Sequence, residues 1–176
     1  MNDFTPSTPP GGSTFFAPAE RAPLAALKQQ YLLVQDTALL QRLYAAVTGF
    51  ILILNAERQI VFANRDLLDY LQAPDIDTVL GLRPGEALQC VHAFEGRGGC
   101  GTTKFCRACG AVKSILLSQE GEQNTQECRI QQRDGGDALD LLVRSSPITL
   151  DGEQFTIFAV TDIGQEKRRR ALEHIF

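Results

Sequence analysis

Residues 124–163 read NTQECRIQQRDGGDALDLLVRSSPITLDGEQFTIFAVTDI, and this stretch decides the fold. It contains three runs rich in β-branched and apolar residues, separated by the turn signals Asp134-Gly135-Gly136 and Asp151-Gly152. Aspartate followed by glycine between alternating apolar positions is a strong signal for a hairpin turn. The stretch therefore predicts three consecutive antiparallel strands.

A further hairpin is predicted upstream, where residues 50–63 read FILILNAERQIVFA. Two short apolar runs, 50–54 and 59–63, flank the turn-forming segment Asn55-Ala56-Glu57-Arg58. Helical patterns occupy residues 65–72, 75–81, 111–121 and the charged segment from 164. This order of elements predicts an α+β fold with a five-stranded antiparallel sheet and its helices on one face.

The N-terminal region predicts a helix that starts near Pro23 and ends near Gly49, about 24 residues long. It carries two apolar seams. The first comprises Leu24, Leu27, Tyr31 and Val34, and the second Leu33, Leu40, Leu43 and Val47. The steps of the first seam match a coiled-coil heptad, so we expect it to pair with a second copy of the chain. The other seam is expected to pack on the domain.

Residues 90–110 read CVHAFEGRGGCGTTKFCRACG and are unusually rich in thiols. They hold four of the five cysteines, namely Cys90, Cys100, Cys106 and Cys109. Thiolates two residues apart can chelate one metal centre, and glycines let backbone N–H groups approach the bound sulfurs. We therefore predict a metal-binding loop at 90–110 with these four cysteines as ligands.

Two further residues are possible substitutes in the ligand set. His92 lies inside the loop, where it could replace one thiolate. Cys128 follows farther along, inside a predicted strand, on the same face as Ile130. Because free cysteine is often a small buried residue, we expect Cys128 to belong to the core and not to the ligand set.

The spacing leaves two kinds of metal centre open. Structural zinc usually takes paired knuckles, whereas only the Cys106–Cys109 pair has two-residue spacing. Cys100, Cys106 and Cys109 have a C-x5-C-x2-C spacing similar to vertebrate-type ferredoxins, whose fourth ligand lies farther along. An iron–sulfur cluster is therefore preferred, with zinc as the alternative, and only the cluster has redox chemistry.

Two other uses of the thiols fit the sequence less well. A thiol–disulfide enzyme would use Cys106 and Cys109, but the order of elements is not that of thioredoxin. Covalent haem attachment needs a histidine after the C-x2-C pair, and Gly110 stands there instead. The flavin-photosensor cysteine motif is also absent.

Composition excludes several classes of partner. The chain of 176 residues has a formal charge of −4 and no basic stripe, so nucleic acid is not expected. It has neither a signal peptide nor an apolar run of about 18 residues, so we expect no membrane span and a cytoplasmic location. Thiols stay reduced there, which favours metal binding over structural disulfides. Residues 1–20, rich in proline, serine and glycine, predict a flexible leader.

In this order and spacing, residues 48–168 resemble a PAS domain, with Asn64 at the usual start of its first helix. The segment 81–115 is similar to a cysteine-bearing PAS subgroup of bacterial sensor histidine kinases. The resemblance implies a sensory domain at 49–164, a dimerisation helix at 21–48 and the start of a signalling helix at 165–176. It also implies a sequence truncated before the phosphoacceptor helix and without a catalytic domain of its own.

Three functions follow as hypotheses. The first is a redox or oxygen sensor whose metal centre acts on the signalling helix, with a second copy and the kinase domains of the same polypeptide as partners. The second is a PAS dimerisation domain with structural zinc. The third is the thiol–disulfide enzyme described above.

Overall fold

The computed structural model describes residues 14–174 and contains one five-stranded antiparallel sheet. The strands are β1 (Phe50–Leu54), β2 (Ile60–Ala63), β3 (Asn124–Ile130), β4 (Leu139–Leu150) and β5 (Glu153–Asp162). Their order across the sheet is β2-β1-β5-β4-β3. The predicted five-stranded α+β fold, with its upstream hairpin and three C-terminal strands, is confirmed.

Six α-helices surround the sheet in the described part of the chain. They are α1 (Leu24–Gln35), α2 (Ala38–Ala46), α3 (Arg65–Tyr70), α4 (Pro84–Ala87), α5 (Gly110–Gln119) and α6 (Gly164–Glu173). Short 3₁₀ turns occupy Ile76–Thr78, Val91–Phe94 and Lys104–Ala108. None of the helices within residues 14–174 is long and apolar enough to cross a membrane.

Local chemistry explains the tight connections. Asp151 and Gly152 both have positive φ, 52° and 80°, as a two-residue turn between twisted strands requires. Asn64 begins α3 as predicted, since its side chain accepts a hydrogen bond from the Leu67 N–H at 3.3 Å. The same side chain donates to the Gly49 carbonyl at 2.8 Å, which ties the start of α3 to the start of β1.

The alternation of side chains along each strand creates two packed faces. One face packs against α3, α4 and α5 and includes Leu52, Cys128, Leu141, Val143, Phe158 and Val160. The opposite face, with Ile51, Ile53 and Phe155, packs against α1 and α2. The N-terminal helices thus cover the face that the other helices leave open.

The single N-terminal helix predicted from the sequence is wrong, because the chain breaks into α1 and α2 at Asp36 and Thr37. Thr37 has an extended backbone, with φ −86° and ψ 92°. Aspartate and threonine are both poor helix formers, and the break lets Val34 and Leu40 bury against the same core. The free energy gained by burying Val34 therefore outweighs the free energy that a continuous helix would gain.

Two residues of the expected dimer seam are buried inside the domain. Leu27 and Val34 of the first seam are buried against the sheet, with 4% and 1% of their surface exposed. They cannot pair with a second copy without leaving the domain core. The large apolar side chains left exposed on α1, on α2 and just after α2 are Leu24, Leu32, Leu39, Leu43 and Val47.

The flexible leader predicted at 1–20 does not extend to residues 14–20, while residues 1–13 lie outside the described part of the chain. Phe15 and Ala17 donate backbone hydrogen bonds to Thr102 and Gly101, each at 2.9 Å. Ala17 is buried beside Cys106. This segment therefore packs directly on the cysteine-rich loop.

Candidate metal centre

A cavity of about 340 Å³ lies between α5, the sheet and the cysteine-rich loop. Its lining includes Cys90, His92, Cys100, Cys106, Cys109 and Cys128, which are all five cysteines of the chain and the histidine of the loop. Apolar side chains of α5 and the sheet, such as Ile115 and Phe158, form much of the remaining wall. The fold therefore places every candidate ligand on the wall of one cavity.

Cys90 is anchored by the loop that follows β3. Val91 donates to the Gln131 carbonyl and Arg133 to the Gln89 carbonyl, each at 2.9 Å, which forms an isolated antiparallel bridge around Cys90. The N–H groups at the start of the following 3₁₀ turn donate to the Cys90 sulfur. Burial nevertheless raises the pKa of the Cys90 thiol.

Cys100 and Cys90 meet at Gly85, the second residue of α4. A Cβ atom at Gly85 would lie 2.7 Å from the Cys100 sulfur and 3.4 Å from the Cys90 Cβ, so only glycine fits. The Gly85 N–H donates to the Cys100 sulfur. Burial, together with negative charge at Cys109, raises the pKa of the Cys100 thiol to about 12.

Cys106 and Cys109 belong to the short segment that leads into α5. The Cys106 sulfur lies 3.3 Å from the Thr103 hydroxyl. Cys109 immediately precedes α5, and the N–H groups of Ala111 and Val112 donate to its sulfur. A helix N-terminus presents such unpaired donors and favours negative charge.

Cys109 and Cys128 form the closest recorded contact between thiols, with their Sγ atoms 3.6 Å apart. The hydrogen bond between these two sulfurs, aided by the N–H groups of α5, lowers the pKa of Cys109 to about 6. The same bond and burial raise the pKa of Cys128. Charge on this pair therefore resides on Cys109.

Cys128 is a buried core residue beside Ile130, as its place on the strand predicts. The sequence, however, gave no sign that its sulfur would lie beside Cys109. Because the two residues are 19 positions apart, only the packing of α5 on β3 brings them together. That packing is close, since a Cβ at Gly110 would lie 1.9 Å from the Glu127 carbonyl oxygen.

The cysteines share the cavity but do not converge on one point. Within residues 14–174, no three side chains of histidine, cysteine, aspartate or glutamate are grouped closely enough to hold a metal ion. His92 stacks on Phe105 with ring centroids 4.5 Å apart, and its Nδ1 lies 2.9 Å from Glu95. The side chains are of types that ligate metals, but in this arrangement they stand apart.

Arg83 is a fully buried side chain that ties the cysteine-rich loop to two other segments. Its guanidinium donates to the carbonyls of Gly98 at 2.9 Å, Glu57 at 2.9 Å and Glu20 at 2.7 Å. Burial is the largest cause that lowers the pKa of Arg83, and the positive charge of neighbouring arginines lowers it further. Its hydrogen bonds to carbonyl oxygens stabilise the charged form.

Glu86 is a buried carboxylate that contacts the backbone of Arg83. It accepts from the backbone N–H of Arg83 at 2.9 Å and of Cys100 at 3.2 Å, and it pairs with Arg21. Arg58, also buried, donates to the Cys100 carbonyl at 3.3 Å. Three arginines thus surround one carboxylate next to Cys100, so this side of the loop carries an excess of positive charge.

The sequence predicts only part of this cluster of three arginines and Glu86. Pro84 and Glu86 in LRPGEAL have the spacing of a helix start, with proline at the first position and a carboxylate at the third. Nothing in the sequence indicates that Arg21 and Arg58, far away in the chain, lie beside that carboxylate. Long-range packing alone creates the cluster.

Comparisons with known proteins identify the fold. No family model matches the chain, and no curated protein matches it. The PAS domain of BvgS from Bordetella pertussis is similar in structure, with a TM-score of 0.52, 17% identity, and coverage of 80% of this chain and 96% of that chain. An RNA-binding light-oxygen-voltage receptor has a TM-score of 0.52 and 21% identity, covering 80% of this chain and 38% of that chain. At these identities the likeness concerns the fold alone, and the chain has the PAS fold.

Proposed function

We propose that this chain is the sensory PAS module of a cytoplasmic histidine kinase and that it holds a cysteine-ligated metal centre, with an iron–sulfur cluster preferred over zinc. In this proposal the ligands are Cys90, Cys100, Cys106 and Cys109. Cys128 and His92 are the possible substitutes. The observation that carries the proposal is the presence of all five cysteines on one cavity inside the domain.

The surroundings of the thiols support an anionic centre. Backbone N–H groups donate to the sulfurs of Cys90, Cys100 and Cys109, and such donors stabilise thiolates and tune a bound cluster. Arg58 donates to the Cys100 carbonyl, which places a cation next to this thiol. The excess of arginine beside Cys100 therefore compensates negative charge on a set of thiolates.

An iron–sulfur cluster, when bound, supplies a redox couple that can respond to oxygen or potential. The residues of the chain hold the loop in place. Arg83 donates to the Gly98 carbonyl and Glu86 accepts from the Cys100 N–H, which fixes the backbone around Cys100. Side chains of α5 form part of the apolar wall of the cavity. The site therefore sits where a change in the loop acts directly on the start of α5.

Two parts of the proposal concern partners. The resemblance of residues 48–168 to PAS domains of sensor kinases supports kinase domains of the same polypeptide as the output. The exposed apolar side chains of α2, Leu39 and Leu43, support a second copy of the chain as the other partner. The cytoplasm keeps thiols reduced and available to a metal.

Structural zinc in the same thiols is the second candidate. The rigid attachment of the loop through Arg83 favours it, because a structural site needs a fixed backbone and has no redox chemistry. In this case the chain would be a dimerisation domain. The sequence and the cavity are the same for both candidates, so the metal itself decides between them.

The deciding experiment is metal and sulfide analysis of the full chain purified without oxygen. Brown protein with iron and sulfide supports the sensor, and colourless protein with one zinc per chain supports the structural site. Serine substitutions at each of the four proposed ligands should abolish metal binding, whereas Cys128→Ser is the matched control and should retain it. Loss of metal in Cys128→Ser with retention in Cys90→Ser would overturn the ligand set.

A further inference from the structure

We propose that Cys109 and Cys128 form a redox-active dithiol, which closes to a disulfide when a peroxide reaches the metal-free chain. This inference goes beyond the proposed function and does not require that the chain ever binds a metal. It assigns to Cys128 a role outside the ligand set, as the partner that resolves oxidised Cys109.

The geometry of the pair carries the inference. The two Sγ atoms are 3.6 Å apart, whereas a disulfide bond measures about 2.05 Å, so closure needs a movement of about 1.5 Å. The backbones already approach closely here, since Gly110 lies directly on the Glu127 carbonyl. Each of these two residues is adjacent to one cysteine of the pair.

Access differs between the two sulfurs and sets the order of events. Cys109 is half-buried at the cavity, whereas Cys128 is 5% exposed on the sheet. A small oxidant therefore meets Cys109 first. Cys128 is held within contact distance behind it, which is the arrangement of an attacking and a resolving cysteine.

The chemistry balances with hydrogen peroxide as the oxidant. The Cys109 sulfur attacks one peroxide oxygen, the O–O bond breaks, and Cys109 becomes a sulfenic acid while one water leaves. The Cys128 sulfur then attacks the Cys109 sulfur, the S–O bond breaks, and a second water leaves. Two thiols and one hydrogen peroxide thus give one disulfide and two waters.

The disulfide would join the start of α5 to β3 by a covalent bond. The two elements are already in contact, since the Asn124 side chain donates to the Ser114 carbonyl at 3.0 Å and Gly110 lies against the Glu127 carbonyl. It would also occupy one of the four proposed metal ligands, Cys109. An oxidised chain should therefore be unable to take up metal until a thiol reductant reopens the bond.

The sequence offers a clean test, because trypsin places each cysteine on a separate peptide. Cleavage after lysine and arginine gives peptides 105–107, 108–113 and 114–129, which carry Cys106, Cys109 and Cys128 respectively. The full chain, both as purified without oxygen and after chelation, is treated with hydrogen peroxide, alkylated and digested. Metal content is measured on the same samples.

The expected result is a linked pair of peptides 108–113 and 114–129 in the chelated sample, two hydrogen atoms lighter than their sum and separated by dithiothreitol. Cys109→Ser and Cys128→Ser should each lose the linked pair, and Cys106→Ser should keep it. Circular dichroism before treatment checks the fold of each variant, and the wild-type result needs no substitution.

Two outcomes would overturn the proposal. One is a dominant link between any other two cysteine peptides, and the other is full alkylation of all five cysteines after peroxide treatment. Failure of the proposed metal centre appears separately, as absence of metal from the purified chain. A chain that contains no metal as purified without oxygen and still forms the Cys109–Cys128 link would support the dithiol and refute the metal centre.

Discussion

Lys167 of α6 contacts Glu127 of β3, with 2.6 Å between Nζ and Oε2. Glu127 precedes Cys128, and successive residues of a strand point to opposite faces. Cys128 therefore lines the cavity, while the side chain of Glu127, its neighbour in β3, contacts α6. This hydrogen bond raises the pKa of Lys167. The relationship provides a short path from the site to α6.

The path predicts how hydrogen exchange responds to loss of the metal. In the proposed function, metal bonds hold the glycine-rich loop, so removal of the metal should raise exchange in residues 90–115 and, through β3, in residues 160–172. Lys167→Gln should weaken the second response and leave the first intact. Exchange measured by mass spectrometry checks both. A response confined to the loop would show that the centre is structural.

Removal of the Arg83 side chain should strongly destabilise the fold. Arg83→Met removes the guanidinium that donates to the carbonyls of Glu20, Glu57 and Gly98, and each hydrogen bond from a charged donor contributes about 1.5–3 kcal/mol. We expect a loss of at least about 3 kcal/mol in urea unfolding. Arg97→Met is the matched control on the exposed part of the same loop, where substitutions change stability by about 0.5 kcal/mol or less. Equal effects of the two changes would contradict the assigned role.

Tyr44 should make stability sensitive to alkaline pH. Its hydroxyl is buried with no hydrogen-bond partner among residues 14–174, and burial raises its pKa from 10.0 to about 12. Because the folded pKa lies above the unfolded value, ionisation of the phenol favours the unfolded chain. The free energy of unfolding is therefore unaffected by this group below pH 10.0 and falls as the pH rises through about 12. Tyr44→Phe should show a smaller loss of stability over that window. Thermal unfolding at a series of pH values provides the measurement, and identical pH profiles for the two proteins would refute the prediction.

The exposed apolar side chains of α2 should mediate dimerisation. Leu39 and Leu43 are 67% and 50% exposed, whereas Leu27 and Val34 of the seam first expected at the interface are buried in the domain. Leu39→Glu combined with Leu43→Glu should convert a dimer into a monomer at micromolar concentration, as measured by light scattering. Ala45→Glu adds the same type of charge elsewhere on α2 and should leave the dimer intact. A wild-type chain that scatters as a monomer would exclude this interface.

Much of the fold could be predicted because its signals are local. The alternation of apolar residues and the Asp151-Gly152 turn identify β4 and β5 from adjacent positions in the chain. Asn64 caps α3 through a contact three residues away, which the sequence also displays. The same locality made the cysteine-rich loop visible, since four thiols lie within residues 90–110.

The sequence by itself determined the sheet, its hairpins and the concentration of thiols, because each depends on residues close together in the chain. Tertiary structure alone decided the break between α1 and α2, the packing of residues 14–20 on the loop, and the buried cluster around Glu86. It also decided that Cys128 would lie beside Cys109. These arrangements arise from the burial of apolar side chains and the pairing of buried charges between distant segments, which no local pattern records.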